Sequence, residues 1–338
     1  MRKAPLILMI VLLISAIIWG GLWLGGKTAT EKLLAHWLQE REDEGWTVSV
    51  DDVTTRGFPN RLDTTISGLS LFDPDTGLSF SAETLQNLSL IYKPTHVIAV
   101  IPGPQTFGSH GHSTKMEAEV FRGSLQFGAA LDLPIERAVF EIAQADMVSS
   151  EGWTAHVGAG QLSMRQTPGV LGNVYDIDVT GQNIAPSSSF MDRIARSGAF
   201  SEVIQSVNAD LTVRFDEPWD RYAIERARPQ PREVEVTRIT ATWGALALDM
   251  TGILVVDAAG IPAGEVDVTA TNWREMITVA EASGALNPAL ANVVTRVLSG
   301  ISRRSGDPTT LNAVLTFTEG KAYLGRFPIG PAPEIKLP

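Results

Sequence analysis

Two short stretches of the sequence hold residue types that could bind a metal ion. Histidines come close together at His110-Gly111-His112, and imidazoles at that spacing could bind zinc if a third ligand came from elsewhere. Asp73-Pro74-Asp75-Thr76-Gly77 resembles the opening of a calcium loop, but the further ligands and the closing glutamate are missing. Asp, Pro and Gly readily build turns. We therefore predict a solvated loop at the histidines and a hairpin turn at the aspartates.

Two other patterns come near to catalytic or cofactor motifs. Gly158-x-Gly160-x-x-Ser163 lacks the third glycine of a dinucleotide loop, and no helix start follows it. Paired carboxylates can do acid–base chemistry when they are buried, but nothing apolar separates the acidic run at Glu40–Glu44 from water, which indicates a solvated helix end. The Gly-x-Ser-x-Gly pattern of a nucleophile elbow does not occur. We predict no catalytic, cofactor-binding or metal-binding residues, and hence a protein that is not an enzyme.

Arg56-Gly57-Phe58-Pro59 joins a basic, a flexible, an aromatic and a stiff residue between two predicted strands. Gly57 permits unusual backbone angles and Pro59 holds Phe58 extended, so the aromatic ring has a defined position. The ring either plugs the core or a bulge, or it lines the entrance for an apolar ligand. The candidate entrance residues are Arg56, Phe58, Trp243 and Trp273.

Alternation of apolar and polar residues dominates the chain from Trp46 onward. This period of two indicates strands with one buried face, separated by turns such as Asp257–Gly260. Strands and helices do not alternate, which argues against a parallel doubly wound sheet. We predict a β-rich α+β fold with large twisted antiparallel sheets. Clear examples are Leu62, Thr64 and Ile66; Val266, Val268 and Ala270; and Leu311, Ala313, Leu315 and Phe317.

A few amphipathic helices interrupt this pattern. Apolar residues at three- and four-residue spacing predict helices near 272–282 and 288–301, and another that starts at Ser187 and breaks at Gly198. Each has one apolar stripe. We expect such helices to cover the open face of a sheet.

Composition limits the classes of partner and compartment. Apolar residues make up 44% of the chain and charged residues 19%, which is typical of a folded protein. The net charge of −11 and the lack of a basic patch argue against nucleic acid as a partner. The chain has no cysteine, which excludes disulfides and thiolate sites and is compatible with export.

An uncharged apolar run from Leu6 to Leu24 is long enough to cross about 30 Å of hydrocarbon. We predict a transmembrane anchor at residues 5–24, through which the chain contacts the lipid bilayer. Arg2 and Lys3 precede the anchor and should stay in the cytoplasm, with Trp19 and Trp23 near the outer interface. The alternative is a cleaved signal peptide, whose apolar region usually has only about 7–15 residues.

The segment after the anchor, residues 26–45, reads as a juxtamembrane helix. Leu33, Leu34, Trp37 and Leu38 share one helical face, which either docks onto the folded domain or lies on the membrane surface. We favour docking because basic residues do not dominate the polar face.

The remaining chain divides in the prediction into β-rich halves at 46–215 and 216–338, after the anchor at 1–25. Prolines and charges accumulate between Asp216 and Pro231, where a joint is expected. A faint echo between Ser67–Asp73 and Thr251–Asp257 suggests two related halves, although this glycine, β-former and aspartate pattern is common in hairpins.

Several Gly, Pro and aromatic motifs together resemble the DUF2125 family of uncharacterised alphaproteobacterial envelope proteins. The resemblance covers most of the chain and implies an envelope protein of unknown activity, with no catalytic residues to carry over. A looser likeness, in architecture alone, is to AsmA-like envelope proteins and their presumed lipid-related roles. The motifs are Arg56-Gly57-Phe58-Pro59, Tyr92-Lys93-Pro94, Pro102-Gly103-Pro104-Gln105, Thr242-Trp243-Gly244 before Gly252, Asp257-x-x-Gly260-x-Pro262-x-Gly264, and Gly325–Pro331 ahead of Leu337-Pro338.

These observations predict a single-pass protein of the bacterial inner membrane, with a cytoplasmic N-terminus and its bulk in the periplasm. It would have no catalytic activity and would bind lipid or another apolar ligand in a β-sheet groove. One alternative is a structural or assembly factor of the envelope with a filled core and an envelope protein as its partner. Another is a hydrolase of unrecognised type, which requires distant His and Asp or Glu residues to meet in a pocket.

Overall fold

The computed structural model describes residues 3–170, 172–195, 200–225, 228–284, 286–302, 307 and 309–337. Strands hold 53% of the residues and helices 23%, which confirms the β-rich α+β class. Arg2, Gly198 and Pro338, which entered the predictions above, lie outside the described residues.

A single helix, α1 (Lys3–Asp43), contains both of the predicted N-terminal segments. All described side chains from Ile7 to Ile18 are exposed, so the apolar start of α1 is not a core helix. Its length and composition suffice to cross a membrane.

The chain forms two compact units. Unit 1 comprises residues up to 126 together with 148–151, and unit 2 comprises 127–147 and the residues from 152 onward. The predicted joint between Asp216 and Pro231 lies inside unit 2, between two strands that pair with each other.

Unit 1 holds an antiparallel sheet in which β3 and β4 form the central pair, in register from Arg61–Leu90 to Asp73–Leu78. β1 and β2 pair with successive parts of β3. β5 and β6 pair with successive parts of β4, and Pro102 and Pro104 lie in the break between them. The strands are β1 (Thr47–Ser49), β2 (Asp52–Arg56), β3 (Arg61–Asp73), β4 (Leu78–Leu90), β5 (Lys93–Val100), β6 (Gln105–Ser109) and β7 (His112–Phe127).

The outer half of α1 packs along β1, β2 and β3 of unit 1. Trp23 is buried, and Leu34 and Leu38 are half-buried. Leu33 and Trp37, from the apolar face predicted to dock, are 69% and 42% exposed. The docking stripe therefore uses only part of that face, because α1 presents Leu34 and Leu38 to the sheet and turns Leu33 away from it.

Unit 2 is an antiparallel meander in which each strand from β9 to β17 pairs with the next. Helices occur in the connections, and α4 and α5 occupy the positions predicted near 272–282 and 288–301. The strands are β8 (Ile135–Ser149), which begins in unit 2, β9 (Thr154–Gln166), β10 (Val174–Ala185), β11 (Ile204–Phe215), β12 (Pro231–Trp243), β13 (Leu246–Val256), β14 (Pro262–Thr271), β15 (Thr310–Thr318), β16 (Lys321–Leu324) and β17 (Phe327–Pro331). The helices are α2 (Ser188–Ala195), α3 (Arg221–Glu225), α4 (Trp273–Ala282) and α5 (Pro288–Ser302).

The main core of unit 2 lies where α4 and α5 cover β14, β15 and β16. Trp273, the first residue of α4, is 1% exposed and packs with buried side chains of all of these elements. Its neighbours in the cluster are Ala270, Val294, Leu298, Leu311 and Leu324. A large ring in this position contributes mainly through apolar area removed from water.

Replacing Trp273 by alanine should therefore lower the free energy of unfolding by about 3–5 kcal/mol, the usual cost of truncating a buried aromatic residue. Val293→Ala on the exposed side of α5, where the side chain is 42% exposed, is the control and should change stability by about 0.5 kcal/mol or less. Urea unfolding of the detergent-solubilised chain measures both. Equal effects of the two variants would contradict the core position of Trp273.

Candidate functional site

The turn between β2 and β3 is fixed by local backbone geometry. The Arg61 N–H donates to the Gly57 carbonyl over 2.8 Å and closes the turn. Gly57 has a φ of +109°, and a Cβ atom there would lie 2.7 Å from the Arg61 Cβ. The turn thus requires glycine at position 57, and Phe58 and Pro59 follow it within the turn.

Two tryptophans of α1 hold this turn against the helix. The Trp19 indole N–H donates to the Pro59 carbonyl over 2.8 Å, and the Trp23 indole N–H donates to the Arg61 carbonyl over 2.7 Å. The Phe58 ring meets the Trp23 ring edge to face, with 5.6 Å between the ring centroids. The helix and the turn therefore form one packed arrangement within unit 1.

The turn between β4 and β5 lies beside it. The Ile91 N–H donates to the Asn60 carbonyl over 3.0 Å. Gly26 of α1 faces the side chains of Leu62 and Ile91. We call residues 56–61 and 90–93 together the hairpin tip.

The surface of the hairpin tip combines exposed aromatic rings with basic side chains. Phe58 is 61% exposed and Tyr92 is 64% exposed. Arg56, Arg61 and Lys93 are also exposed, and Arg61 pairs with Asp63 at 2.8 Å. This local composition differs from that of the whole chain, whose net charge is −11.

The four predicted entrance residues fall in different places. Arg56 and Phe58 belong to the hairpin tip in unit 1, whereas Trp243 and Trp273 belong to unit 2. Trp243 is half-buried, and its indole N–H donates to the Ser201 carbonyl over 2.6 Å while its ring stacks on Phe190. Trp273 fills the core under α4 and α5. A side chain that is 1% exposed does not line an opening to solvent.

The aspartate and histidine motifs both lie in hairpin turns. The Asp73 carboxylate accepts hydrogen bonds from the Thr76 hydroxyl at 2.6 Å and the Asp75 N–H at 2.9 Å, so its oxygens stabilise the β3–β4 turn. His110 contacts the Ser109 hydroxyl, and His112 lies 3.7 Å from Glu151. Among the described residues, no three His, Asp or Glu side chains gather closely enough to hold a metal ion.

Two glycine patterns that suggest phosphate loops lie inside regular elements. Gly158 and Gly160 are in the middle of β9, and a Cβ atom at Gly160 would lie 2.9 Å from Ile142. The spacing Gly21-x-x-x-x-Gly26-Lys27-Thr28 matches a P-loop, which needs a strand before the loop and a helix after it. The residues of this second pattern, from Gly21 to Thr28, are all within α1. Neither pattern forms a loop that could surround a phosphate.

The family model of uncharacterised proteins conserved in bacteria (DUF2125) matches residues 23–333. The chain belongs to the DUF2125 family. The resemblance seen in the Gly, Pro and aromatic motifs is thereby confirmed, and the DUF2125 match includes the whole hairpin tip and Trp23. Neither a curated protein nor a solved structure matches the chain.

The sequence did not predict the contact of Trp19 and Trp23 with the hairpin tip. It also did not predict that the exposed Tyr92 ring lies in that tip with Phe58. The sequence indicated Trp19 and Trp23 only as residues near a membrane interface, from their position towards the end of the apolar run. Tyr92 reaches the tip only because β3 and β4 pair in a register that sets Arg61 opposite Leu90. The predicted turns at both ends of this strand pair were the available signal, because alternation fixes the face on which a residue lies but does not exclude a register slip by two residues.

The Asp73 turn generates a pH-dependent prediction. The Thr76 hydroxyl, together with backbone N–H groups and against the effect of burial, lowers the pKa of Asp73 below its ordinary value. A carboxylate with a lowered pKa stabilises the fold fully above the unfolded-state pKa of about 4 and loses this effect as the pH falls through the folded-state pKa. Asp73→Asn should therefore lower the melting temperature at pH 7, and this deficit should shrink below about pH 4.

Thr76→Val removes the principal donor to Asp73 and provides the control. In the Thr76→Val background, Asp73→Asn should have a smaller and less pH-dependent effect. A deficit for Asp73→Asn that is constant between pH 7 and pH 3 would contradict the assigned role of the charged carboxylate.

Proposed function

We propose that this DUF2125 member is a single-pass protein of the bacterial inner membrane that holds a non-catalytic, β-rich body in the periplasm. The observation that carries the proposal is the exposed apolar surface from Ile7 to Ile18, which lies directly before the part of α1 that packs on unit 1. An exposed apolar helix surface is stable in hydrocarbon and unfavourable in water. Arg2 and Lys3 set the orientation by the positive-inside tendency.

The contacts of α1 favour an anchor that stays attached over a cleaved signal peptide. Trp19, Trp23 and Gly26 all contact the hairpin tip, so this part of the helix belongs to the folded unit. Cleavage near residues 25–29 would remove two indole hydrogen bonds and the buried Trp23 ring. A signal peptide, by contrast, makes no contribution to the mature fold.

Fusions of alkaline phosphatase and of a cytoplasm-active fluorescent protein after Ala35 test this topology. We expect the phosphatase fusion to be active and the fluorescent fusion to be dark, because the chain after the anchor lies outside the cytoplasm. The fusions should stay in the membrane pellet after alkaline extraction and retain the mass of the uncleaved chain. An inactive phosphatase, or release into the soluble fraction, would overturn the proposal.

The sheet of unit 2 favours lipid or another apolar ligand as a binding partner. Residues paired across neighbouring strands share one face, and one such row runs from Leu162 through Val179, Ala209 and Ile239 to Met250. Leu162 is 41% exposed, and the other members of the row are half-buried. An apolar row that keeps partial contact with solvent can receive an acyl chain.

The opposite face of the same strands is polar. Asp178 is opposite Asp210 and Asp210 is opposite Arg238, and Arg238 donates two hydrogen bonds to Asp249 on β13. This face needs no cover. The apolar face is therefore the one on which a ligand would gain from leaving water.

A structural or assembly role is the second candidate, and a different part of the same face favours it. Towards β14 and β15 the apolar row continues to Val268 and Ala313, which pack against the cluster beneath α4 and α5. There the chain itself fills the space. The proposed ligand is thus confined to the β9–β12 side of the face, and the likeness to AsmA-like proteins stays a prediction.

An unrecognised hydrolase receives less support. His156 Nδ1 lies 2.7 Å from an Asp146 carboxylate oxygen, which is the pairing that orients a catalytic imidazole. Both side chains lie on strands at the surface, with Asp146 75% exposed, so the pair lacks the burial that tunes a catalytic base.

Photo-crosslinking in the intact membrane tests the ligand. Benzoylphenylalanine at Leu162 faces the apolar row, whereas the same residue at Gln161 is exposed on the opposite face one position earlier. We expect a lipid-mass adduct at position 162 that exceeds the adduct at 161 several-fold. Equal or absent adducts at both positions would favour the structural role and remove lipid as the partner of this face.

A further inference from the structure

The length of the apolar run sets the level of the hairpin tip relative to the bilayer. This step rests on the proposed membrane anchor. From Leu6 to Ile18 a helix rises only about 20 Å, whereas the hydrocarbon core is about 30 Å thick. The span must therefore include the next turns, as far as Leu24, to reach the required length. Trp19 lies about 7 Å before Leu24 along the helix. Its indole N–H donates a hydrogen bond to the Pro59 carbonyl, so Pro59 lies at the level of Trp19.

The polar backbone of the turn is suited to a poorly hydrated layer. The carbonyls of Pro59 and Arg61 accept the two indole hydrogen bonds, and the carbonyls of Gly57 and Asn60 accept bonds from the N–H groups of Arg61 and Ile91. These four backbone carbonyls, which would otherwise need water, thus have partners within unit 1. Such pairing removes most of the cost of leaving bulk water.

The side chains of the hairpin tip have the chemistry of an interfacial contact. Phe58 and Tyr92 are more than half exposed, and aromatic rings favour the layer between headgroups and acyl chains. Arg56 and Lys93 are exposed in the same hairpin tip, and their long basic side chains can extend to lipid phosphates, whereas Arg61 pairs with Asp63. Leu22 and Leu24 of α1, at the same level of the helix, are 57% and 59% exposed.

We propose that the hairpin tip is a second membrane contact. Phe58 and Tyr92 enter the interfacial layer of the leaflet through which α1 leaves the bilayer, and the exposed basic side chains of the same tip face the lipid phosphates. The occupant of this surface is the bilayer itself, because the two indole bonds hold the tip level with the end of the span.

Single cysteines can measure this contact directly, since the chain has no cysteine of its own. Phe58→Cys and Tyr92→Cys variants of the full chain are labelled with an environment-sensitive fluorophore and reconstituted in vesicles of phosphatidylethanolamine and phosphatidylglycerol. Lipids that carry a nitroxide at the headgroup or along the acyl chain then report depth. We expect strong quenching at both positions by nitroxides near the glycerol level and weak quenching by aqueous iodide.

Phe72→Cys is the matched control. It is an exposed phenylalanine of the same strand, β3, about 36 Å further along it from Arg61. Its label should be quenched several-fold less by lipid nitroxides and more by iodide. Melting temperatures of the labelled variants verify that each one is folded.

Ile14→Cys in α1 separates failure of this proposal from failure of the anchor. Strong acyl-chain quenching at position 14, with position 58 no more quenched by lipid than position 72, would overturn the second contact and leave the anchor intact. Weak lipid quenching at position 14 would overturn the anchor and the second contact together. Only lipid quenching at 14, 58 and 92, with several-fold weaker lipid quenching at 72, supports the proposal.

Discussion

Two hydrogen bonds from tryptophan indoles to backbone carbonyls join the apolar helix to the folded body of unit 1. The bonds from Trp19 to Pro59 and from Trp23 to Arg61 add to the packing of α1 along β1, β2 and β3. The two bonds hold the last turns of the apolar run against the turn between β2 and β3. β3 starts at Arg61 and contacts α1, so the Trp23 bond lies at the start of the central strand pair. The placement of the remaining strands of unit 1 follows from the β3–β4 register.

A separate constraint governs unit 2, where the alternation of side chains produces one polar and one apolar face across many strands. Ion pairs such as Arg238–Asp249 leave the polar face compatible with water. The apolar face needs cover, and α4 and α5 provide it over β14 and β15. Both helices are inserted between β14 and β15, so the chain supplies the cover at the point where the two strands are joined. The opposite side of the face, near Leu162, retains exposed apolar area.

The sequence predicted the features that depend on local periodicity. The antiparallel strands, α4 and α5, the Asp73 turn and the long apolar helix all follow from spacing within about 15 residues, which is the range over which such patterns carry information. Strand register and long-range packing depend on residues far apart in the sequence, so short-range patterns do not predict them. The meeting of Trp23 with Phe58, and of Ile91 with Asn60, depends on which strand ends come together. Trp243 and Trp273 were predicted as entrance residues, whereas their positions in a stacked cluster and in a buried core depend on packing between distant elements.

The charge distribution of unit 1 supports the proposed contact of the hairpin tip with a membrane. The acidic residues between Glu40 and Glu44 lie about 20 positions beyond Trp23 on α1, which corresponds to roughly 30 Å along the helix. That distance is several times the Debye length of about 8 Å at physiological ionic strength, so these carboxylates are screened from an anionic lipid surface at the level of Trp23. Arg56 and Lys93 lie in the hairpin tip, where attraction to lipid phosphates is strongest. The proposed placement of the hairpin tip at the lipid surface is thus also the one that electrostatics favours, since the opposite placement would bring the acidic end of α1 to the phosphates.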